Sequence, residues 1–184
     1  MFIQTEDTPN PDTLKFMPGD TVLKTGSVDF SNAESSVISP LATRLFEIEG
    51  VSRVFLSSDF ISVTKETALE WNTLKPSILT GIMEHYSSGL PALKTEADIT
   101  EDNSAEDTET IQQIKDLLET RVRPAVAMDG GDISFCSFEA GVVTLQMKGA
   151  CAGCPSSTAT LKMGIENMLR HYIPEVTEVK AAEL

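Results

Sequence analysis

The segment KGACAGCPSS, residues 148–157, holds two of the chain's three cysteines, Cys151 and Cys154, in a C-x-x-C motif. A strand-like run precedes the motif, and Pro155 and Ser156 after it favour the start of a helix. Cys154 should therefore lie beside backbone N–H groups that lack intrahelical partners, at the positive end of a helix dipole. Both effects favour the thiolate, which metal ions, clusters and disulfide exchange require. The small neighbouring residues predict that the two sulfur atoms are left uncovered.

Length and composition allow one average domain or two small ones, since 184 residues that are 41% apolar can fill only modest cores. No apolar run is long enough to cross a membrane, and residues 1–12 lack the features of a signal or transit peptide. We expect a soluble protein of a bacterial-type cytoplasm, or of the mitochondrial matrix if a presequence has been removed. Three cysteines without an export signal indicate a reducing compartment rather than a disulfide framework.

The net charge of −14 argues against two classes of partner. Nucleic acids and anionic membrane surfaces attract basic proteins, and a strongly acidic chain is repelled by both. We therefore expect neither nucleic acid nor a membrane as a partner.

Residues 1–90 form the first predicted unit, a small α+β domain without cysteine. Alternating apolar residues and turn formers predict strands at 2–5 and 14–17, followed by a meander over 22–24 and 27–30. Apolar spacing predicts helices over 40–48 and 74–86, the second closed by Gly89. Between them, strands at 51–57 and 60–64 flank a hairpin tip at Ser58-Asp59. Trp71 and Tyr86 are expected to pack with the second helix.

Residues 91–109 contain seven acidic residues and one lysine. Such a segment cannot bury enough apolar area to offset its ordering entropy. We expect an acidic flexible linker that spans on the order of 25 Å.

Residues 110–184 form the second predicted unit, again α+β. A helix over 111–122, capped by Asp107 or Thr108, is expected to kink or end at Pro124. A turn at 128–132 leads to strands at 133–138 and 142–147, and the second strand runs into the C-x-x-C motif. A helix over 161–172 and an edge strand at 176–179 follow.

Three chemistries fit a C-x-x-C pair. A zinc site needs four nitrogen or sulfur ligands, but the chain has no second C-x-x-C and only His85 and His171. A thioredoxin-like dithiol would lie near the start of a βαβ unit, usually after an aromatic residue, whereas this pair follows a hairpin. An iron-sulfur cluster takes four thiolates, and a second copy of the same loop across a two-fold axis would complete the set.

The motif of residues 149–157, preceded by Arg123-Pro124-Ala125 and by MDGGD at 128–132, resembles the C-terminal domain of the NifU family, the Nfu-type iron-sulfur scaffold and carrier proteins. The runs TPNP at 8–11 and KFMPG at 15–19 resemble the N-terminal domain of Nfu proteins. Together the two resemblances cover nearly the whole chain except the linker.

The resemblance implies a homodimer that holds a [4Fe-4S] cluster between two C-x-x-C loops, with Cys151 and Cys154 as ligands, and passes it to apo-proteins. It also implies an upstream assembly scaffold as donor and no enzymatic activity. The additional cysteine-bearing domains of full-length NifU proteins are absent from this sequence, which favours a carrier over a primary assembly site.

Other residues are assigned more modest roles. Cys136, outside the motif, is expected to be a core or sheet-face cysteine. Arg123 and Asp129 are candidates for orienting the loop or donating to the cluster, although a helix end and a turn need such residues in any case. His171 is expected on the surface near a helix end, and Met163 and Met168 are expected to be core or contact residues. The first domain is predicted to recognise clients or assembly partners, or to stabilise the protein.

Overall fold

The computed structural model describes residues 2–94, 108–153 and 155–182, apart from the side chains of residues 155–157. The chain divides into two compact units, Met1–Asp102 and Asn103–Leu184, and each combines helices with a sheet, which confirms the α+β class. The division falls inside the predicted acidic linker. Residues 95–107 of that linker, and with them its predicted flexibility, lie outside the described part of the chain.

Unit 1 contains a five-stranded antiparallel sheet with strand order β1-β2-β5-β4-β3. The predicted hairpin at Ser58-Asp59 joins β4 to β5 and pairs Leu56 with Ile61. The strands are β1 (Gln4–Asp7), β2 (Thr13–Met17), β3 (Val28–Phe30), β4 (Val51–Leu56) and β5 (Ile61–Lys65).

The predicted strand at 27–30 is confirmed as β3, but the predicted meander over 22–24 and 27–30 is wrong. Residues 22–24 are not a strand: Val22 and Leu23 are buried, and their N–H groups donate to the Ser58 carbonyl at 2.8 and 3.3 Å. Strand β3 pairs with β4, across the sheet from β2. The apolar residues that suggested a strand fill the core from a loop, which local pattern cannot distinguish from a strand.

Two helices pack on this sheet, α1 (Pro40–Phe46) and α2 (Trp71–Ser88), after a single 3₁₀ turn at Ser35–Ile38. The Ser39 hydroxyl caps α1 by accepting the Ala42 N–H at 3.0 Å, and Pro40 occupies the first turn. Gly89 ends α2 in the left-handed conformation (φ 69°), as predicted. Trp71 and Tyr86 pack against the unit's core, which also confirms their predicted place.

Residues 91–94, which the sequence assigned to the linker, pack on unit 1. Leu93 is buried in its core, and the Lys94 N–H donates to the Ile38 carbonyl at 2.9 Å. The Ser39 hydroxyl donates to the carbonyl of Ala92. The ordered structure of unit 1 therefore continues to Lys94.

Unit 2 begins with three consecutive helical segments, α3 (Glu109–Leu117), a π turn (Leu118–Val122) and α4 (Arg123–Met128). Thr108 caps α3 by accepting the Ile111 N–H at 3.4 Å. The helical region was predicted to kink or end at Pro124. It ends instead at Met128, the last residue of α4. Pro124 lies in the first turn of α4, directly after the π turn, where its missing N–H costs little.

The sheet of unit 2 has the order β6-β7-β8, with β6 (Gly131–Glu139), β7 (Val142–Gly149) and β8 (Glu178–Ala181). Strands β6 and β7 form an antiparallel hairpin through Ala140 and Gly141, both at positive φ (49° and 82°). Helix α5 (Pro155–Tyr172) then crosses over to β8, which pairs parallel to β7.

The helices and the sheet of unit 2 share one apolar core. It is made by Ile114, Leu118, Val122, Val126, Ile133, Val143, Leu145, Met147, Cys151, Ile165, Leu169, Ile173, Val176 and Val179. Cys151 belongs to this core although it lies in the loop between β7 and α5.

Candidate functional site

The C-x-x-C loop joins the end of β7 to the start of α5. Gly149 and Gly153, on either side of Cys151, have positive φ values of 62° and 77° that favour glycine. Within the loop the Ala152 N–H donates to the Gly149 carbonyl at 3.0 Å, and the Thr158 hydroxyl donates to the Cys151 carbonyl at 3.2 Å. The structure thus ties the Cys151 backbone to α5, whereas Cys154 lies outside the described residues.

The turn before β6 packs directly against this loop. The Ala150 N–H donates to the Gly130 carbonyl at 3.1 Å, and Gly131 pairs with Gly149 across the hairpin. A Cβ atom built on Gly131 would lie 2.5 Å from Cys151 Sγ and 2.8 Å from the Lys148 carbonyl oxygen. Position 131 therefore has no room for a side chain.

An ion pair between Arg123 and Asp132 joins the start of α4 to the start of β6. The Nε and Nη2 atoms of Arg123 each donate to the Asp132 carboxylate at 2.9 Å, and Arg123 Nη1 donates to Glu119 at 2.6 Å. The Asp132 side chain is only 8% exposed. Hydrogen bonding to Asp132, followed by the charges of Asp132 and Glu119, raises the pKa of Arg123 above its ordinary value, so Arg123 is a permanent cation.

Two predicted candidates for orienting the loop therefore have different outcomes. Arg123 fixes the residue that follows Gly131, and Gly131 contacts the loop, so a positioning role fits its contacts. Asp129 is exposed at the end of α4, and its neighbour Asp132 is the carboxylate that binds Arg123. The sequence contained the MDGGD turn but could not show which aspartate faces the helix.

The prediction that both sulfur atoms are uncovered is wrong for Cys151, which is 6% exposed and packs in the core of unit 2. The small neighbouring residues predicted that solvent could reach the Cys151 sulfur. In the structure, the turn before β6, which ends at Gly131, packs against that sulfur and covers it. Only nonlocal packing produces this burial, so sequence spacing could not reveal it.

The third cysteine, Cys136, lies at a β-bulge between Phe135 and Ser137 and is exposed. Its position on the sheet agrees with the predicted sheet-face cysteine. Partial desolvation raises the pKa of its thiol, while a backbone hydrogen bond from Gln146 and the charge of Lys148 act in the opposite direction.

The remaining predicted residues have ordinary structural places. His171 is exposed on the last turn of α5 and forms an edge-to-face contact with Tyr172, as expected of a surface residue. Met168 packs against the core, whereas Met163 is 66% exposed. Within residues 2–94, 108–153 and 155–182, no group of three or more His, Cys, Asp or Glu side chains is arranged to hold a metal ion.

The loop that carries the cysteine pair lies at the start of a βαβ unit. The loop does follow a hairpin, as predicted, but it also opens the β7-α5-β8 unit, in which β7 and β8 are parallel. Its position after a strand and before a crossover helix is therefore compatible with dithiol chemistry as well as with a metal or cluster.

Comparison with known proteins gives matches in both units. Residues 3–89 match the model described as scaffold protein Nfu/NifU N terminal, and residues 114–180 match that of the NifU-like domain. The chain is 54% identical over 185 residues to the NifU-like protein 4, mitochondrial, of Arabidopsis thaliana, an alignment that covers 98% of this chain and 65% of that protein. It is 53% identical over 181 residues to the human NFU1 iron-sulfur cluster scaffold homolog, mitochondrial, with 98% and 71% covered.

These matches define the class as a two-domain protein in which an Nfu-type N-terminal domain precedes a NifU-like domain with a C-x-x-C loop. The chain spans somewhat less than two thirds of the plant relative's length. With its match to human NFU1, the chain belongs to the Nfu/NifU family, which confirms the resemblance found in its motifs.

Proposed function

We propose that this protein is an iron-sulfur cluster scaffold and carrier, which holds a [4Fe-4S] cluster between the C-x-x-C loops of two copies and delivers it to apo-proteins. The observation that carries the proposal is the C-x-x-C motif of Cys151 and Cys154, which falls between strand β7 and helix α5 in the segment that matches the NifU-like domain. A cluster takes four thiolates and each chain's motif offers two, so two copies meeting across a two-fold axis complete the ligand set.

The names of the relatives support the scaffold role. A human protein that is 53% identical over nearly the whole chain is named as an iron-sulfur cluster scaffold homolog. Two residues around the loop support a cluster site as well: Gly131 leaves no side chain beneath the Cys151 sulfur, and Gly153 leaves open space beside the backbone. At Gly153, where a Cβ atom would meet no atom within 4 Å, the open backbone can come close to a bound cluster.

Cluster uptake in this proposal requires a local movement, because Cys151 is buried. Gly149 and Gly153 flank the cysteine at positive φ and supply backbone freedom for such a movement. The Cys151 sulfur would leave the core and turn towards the ligand, while the Arg123–Asp132 pair keeps the neighbouring turn in place.

A carrier releases its cargo by ligand exchange. A cluster that two copies share at a junction can lose its thiolate ligands one at a time to the thiolates of an incoming acceptor. This chemistry forms and breaks only metal-thiolate bonds, so we propose a non-enzymatic role. Electron transfer would favour a cluster enclosed by four cysteines of one chain.

The partners we propose are apo iron-sulfur proteins as recipients and an upstream assembly scaffold as donor. The net charge of −14 favours protein partners over nucleic acid. No helix among the residues with described structure is long and apolar enough to cross a membrane. The relatives' names place those proteins in mitochondria, which supports the mitochondrial matrix rather than a bacterial cytoplasm as the location.

A dithiol oxidoreductase is the second candidate, and the position of the motif in a βαβ unit favours it. Such an enzyme would reduce protein or glutathione disulfides as an apo monomer and would take up no cluster. A zinc-binding interaction module would instead bind a colourless metal, and removal of the metal would unfold it.

Anaerobic reconstitution of the full chain with iron and sulfide separates these three functions. The scaffold proposal predicts a brown protein with the broad visible absorbance of a [4Fe-4S] centre, lost in Cys151→Ala. The matched control is Cys136→Ala, which removes the exposed cysteine outside the motif and should load as the parent does. Disulfide reductase activity without cluster uptake would overturn the proposal.

A further inference from the structure

The Cys151 side chain has a defined position inside unit 2. It belongs to the apolar core, is only 6% exposed, and lies directly against Gly131, where an added Cβ atom would come within 2.5 Å of the sulfur. A residue with a side chain at position 131 would occupy the space that the sulfur takes. We call this position of the sulfur, against Gly131 and inside the core, the Cys151 seat.

Hydrogen bonds from two directions hold the loop in this position. The Ala150 N–H donates to the Gly130 carbonyl at 3.1 Å, and the Thr158 hydroxyl donates to the Cys151 carbonyl at 3.2 Å. The first bond connects the loop to the turn before β6, and the second connects it to α5. The loop with its sulfur in the seat is therefore a specific conformation with its own contacts, which we call the closed loop.

The seat is fixed to α4, whereas the loop has flexible ends. Asp132, the residue after Gly131, accepts from both Nε and Nη2 of Arg123 at 2.9 Å and is 8% exposed. Gly149 and Gly153, on either side of the loop, have φ values of 62° and 77°. Glycines adopt other backbone conformations at little cost, so the loop can open while the seat stays in place.

A sulfur in the seat cannot also bind a cluster. Ligation places an iron atom beside the sulfur, but a sulfur that is 6% exposed among core side chains is surrounded by protein atoms. The closed loop and the ligated cysteine are therefore alternative states. The apparent affinity for the cluster is the intrinsic affinity multiplied by the fraction of chains whose loop is open.

We infer that the Cys151 seat is a release device, which lowers the affinity for the cluster and takes up the Cys151 sulfur when the cluster is handed on. The inference rests on the proposed function, because it concerns the release of the same cargo. It assigns Gly131 and Thr158 as positioning residues, which act on Cys151 rather than on the cluster.

The exchange that the seat favours is balanced in atoms and charge. The thiol of an acceptor loses its proton and forms a bond to iron, the bond from the same iron to Cys151 breaks, and the proton ends on the Cys151 sulfur. No electron is transferred. The neutral thiol then enters the apolar core as a small hydrophobic side chain. Because the reverse step must first remove this thiol from the core, the seat favours transfer to the acceptor.

Thr158→Val tests the device with little change in shape. Valine keeps the branched side chain and lacks the hydroxyl that donates to the Cys151 carbonyl. The loss of one neutral hydrogen bond should raise the open fraction about fivefold. The matched control is Thr120→Val, which removes a hydroxyl bond to the Asp116 carbonyl at 2.6 Å, between the π turn and α3. Both variants lose the same kind of bond in unit 2, but only Thr158→Val changes the loop.

The first measurement is made on the full apo chain. Iodoacetamide should modify Cys151 about fivefold faster in Thr158→Val than in the parent, because alkylation of a buried thiol follows the open fraction. Peptide mass spectrometry over time measures this rate separately from that of the exposed Cys136. Thr120→Val should react as the parent does.

The second measurement is made on the cluster-loaded chain. Competition with a small dithiol, followed by the visible circular dichroism of the protein-bound cluster, gives the dithiol concentration at which half of the cluster is lost. Each dithiol replaces the cysteine pair of one chain, so this midpoint should rise in Thr158→Val by the same factor as the alkylation rate, about fivefold. A general loss of stability would lower the midpoint, so the rise is specific to the seat.

Gly131→Ala tests the seat from the opposite side, since its methyl group would occupy the place of the sulfur. At a temperature where circular dichroism shows the chain to be folded, this variant should also raise both the alkylation rate of Cys151 and the dithiol midpoint.

Parallel increases in both values for Thr158→Val, absent from Thr120→Val, would support the release device. An unchanged alkylation rate of Cys151 in Thr158→Val, or faster alkylation without a higher dithiol midpoint, would overturn it and leave the proposed function intact. A parent chain that takes up no cluster would overturn both.

Discussion

The Cα atom of Gly131 faces the Sγ atom of Cys151 so closely that a Cβ atom at position 131 would lie 2.5 Å from the sulfur. The same Cβ atom would lie 2.8 Å from the Lys148 carbonyl oxygen and 3.0 Å from the Cys151 nitrogen. Two of these three neighbours are backbone atoms, which cannot move aside by changing rotamer. The glycine of one strand thus determines where the cysteine of the next loop is held.

Gly131→Ala should therefore lower the free energy of unfolding of unit 2 by about 2 kcal/mol, because the added methyl group overpacks the loop. Urea unfolding followed by far-UV circular dichroism measures this change. The control is Gly164→Ala, at an open helical position, which should raise stability by about 0.5–1 kcal/mol. Equal stability of Gly131→Ala and the parent would contradict the observed packing.

Arg123→Gln should lower the stability of unit 2 by about 3 kcal/mol, because it leaves the carboxylate of Asp132 buried without its cation. Thermal unfolding of Arg123→Gln, Asp132→Asn and the double variant measures the coupling between the two side chains. Glu119→Gln removes an exposed partner of the same arginine and should cost about 0.5 kcal/mol or less. A loss as large for Glu119→Gln as for Arg123→Gln would show that burial of Asp132 is not the cause.

Unit 1 should lose stability as the pH falls below about 6.5, because of His85. This histidine is buried in α2, and its burial, with a smaller effect of the Arg44 charge, lowers the pKa of the folded state below the unfolded value of 6.5. The unfolded chain then binds the proton first, so stability is fully present above 6.5 and is lost from there down to the lowered pKa.

Trp71 makes this pH dependence measurable, because the chain's single tryptophan lies in unit 1. Melting curves followed by its fluorescence should fall in temperature between pH 7 and pH 5 for the parent. The slope should flatten in His85→Leu and persist in His171→Leu, which changes the exposed histidine of unit 2. A parent slope that His85→Leu leaves unchanged would assign the effect to other groups.

Alkylation should distinguish the cysteines of the apo protein. Cys136 is exposed and Cys151 is buried, so iodoacetamide should modify Cys136 first, with a rate that rises with pH because the pKa of Cys136 is raised. Cys151 should react only as fast as its loop opens. Peptide mass spectrometry over time measures both rates, and Cys151 reacting as fast as Cys136 would contradict the closed loop.

Much of the fold was predictable because its signals are local. Gly89 ends α2 at positive φ, Thr108 caps α3, and the C-x-x-C motif lies between a strand and a helix, as the sequence indicated. Each of these features depends on residues within a few positions of one another. The α+β class followed from the same local patterns.

The features that sequence reasoning missed depend on contacts between distant segments. The burial of Cys151 comes from Gly131 on the neighbouring strand, and β3 pairs with β4 rather than following β2 in a meander. The helix continues past Pro124 because a π turn precedes it. In each case tertiary packing selects among conformations that the local sequence allows.

A shared cluster is tested most directly by the iron and sulfide content and the molecular mass of the protein after anaerobic purification and reconstitution. A [4Fe-4S] cluster shared by two copies predicts about two irons and two sulfides per chain in a species with the mass of a dimer. The yield should fall to background in Cys151→Ser and in Cys154→Ser. A colourless monomer that binds one zinc ion, or no metal, would contradict the shared cluster.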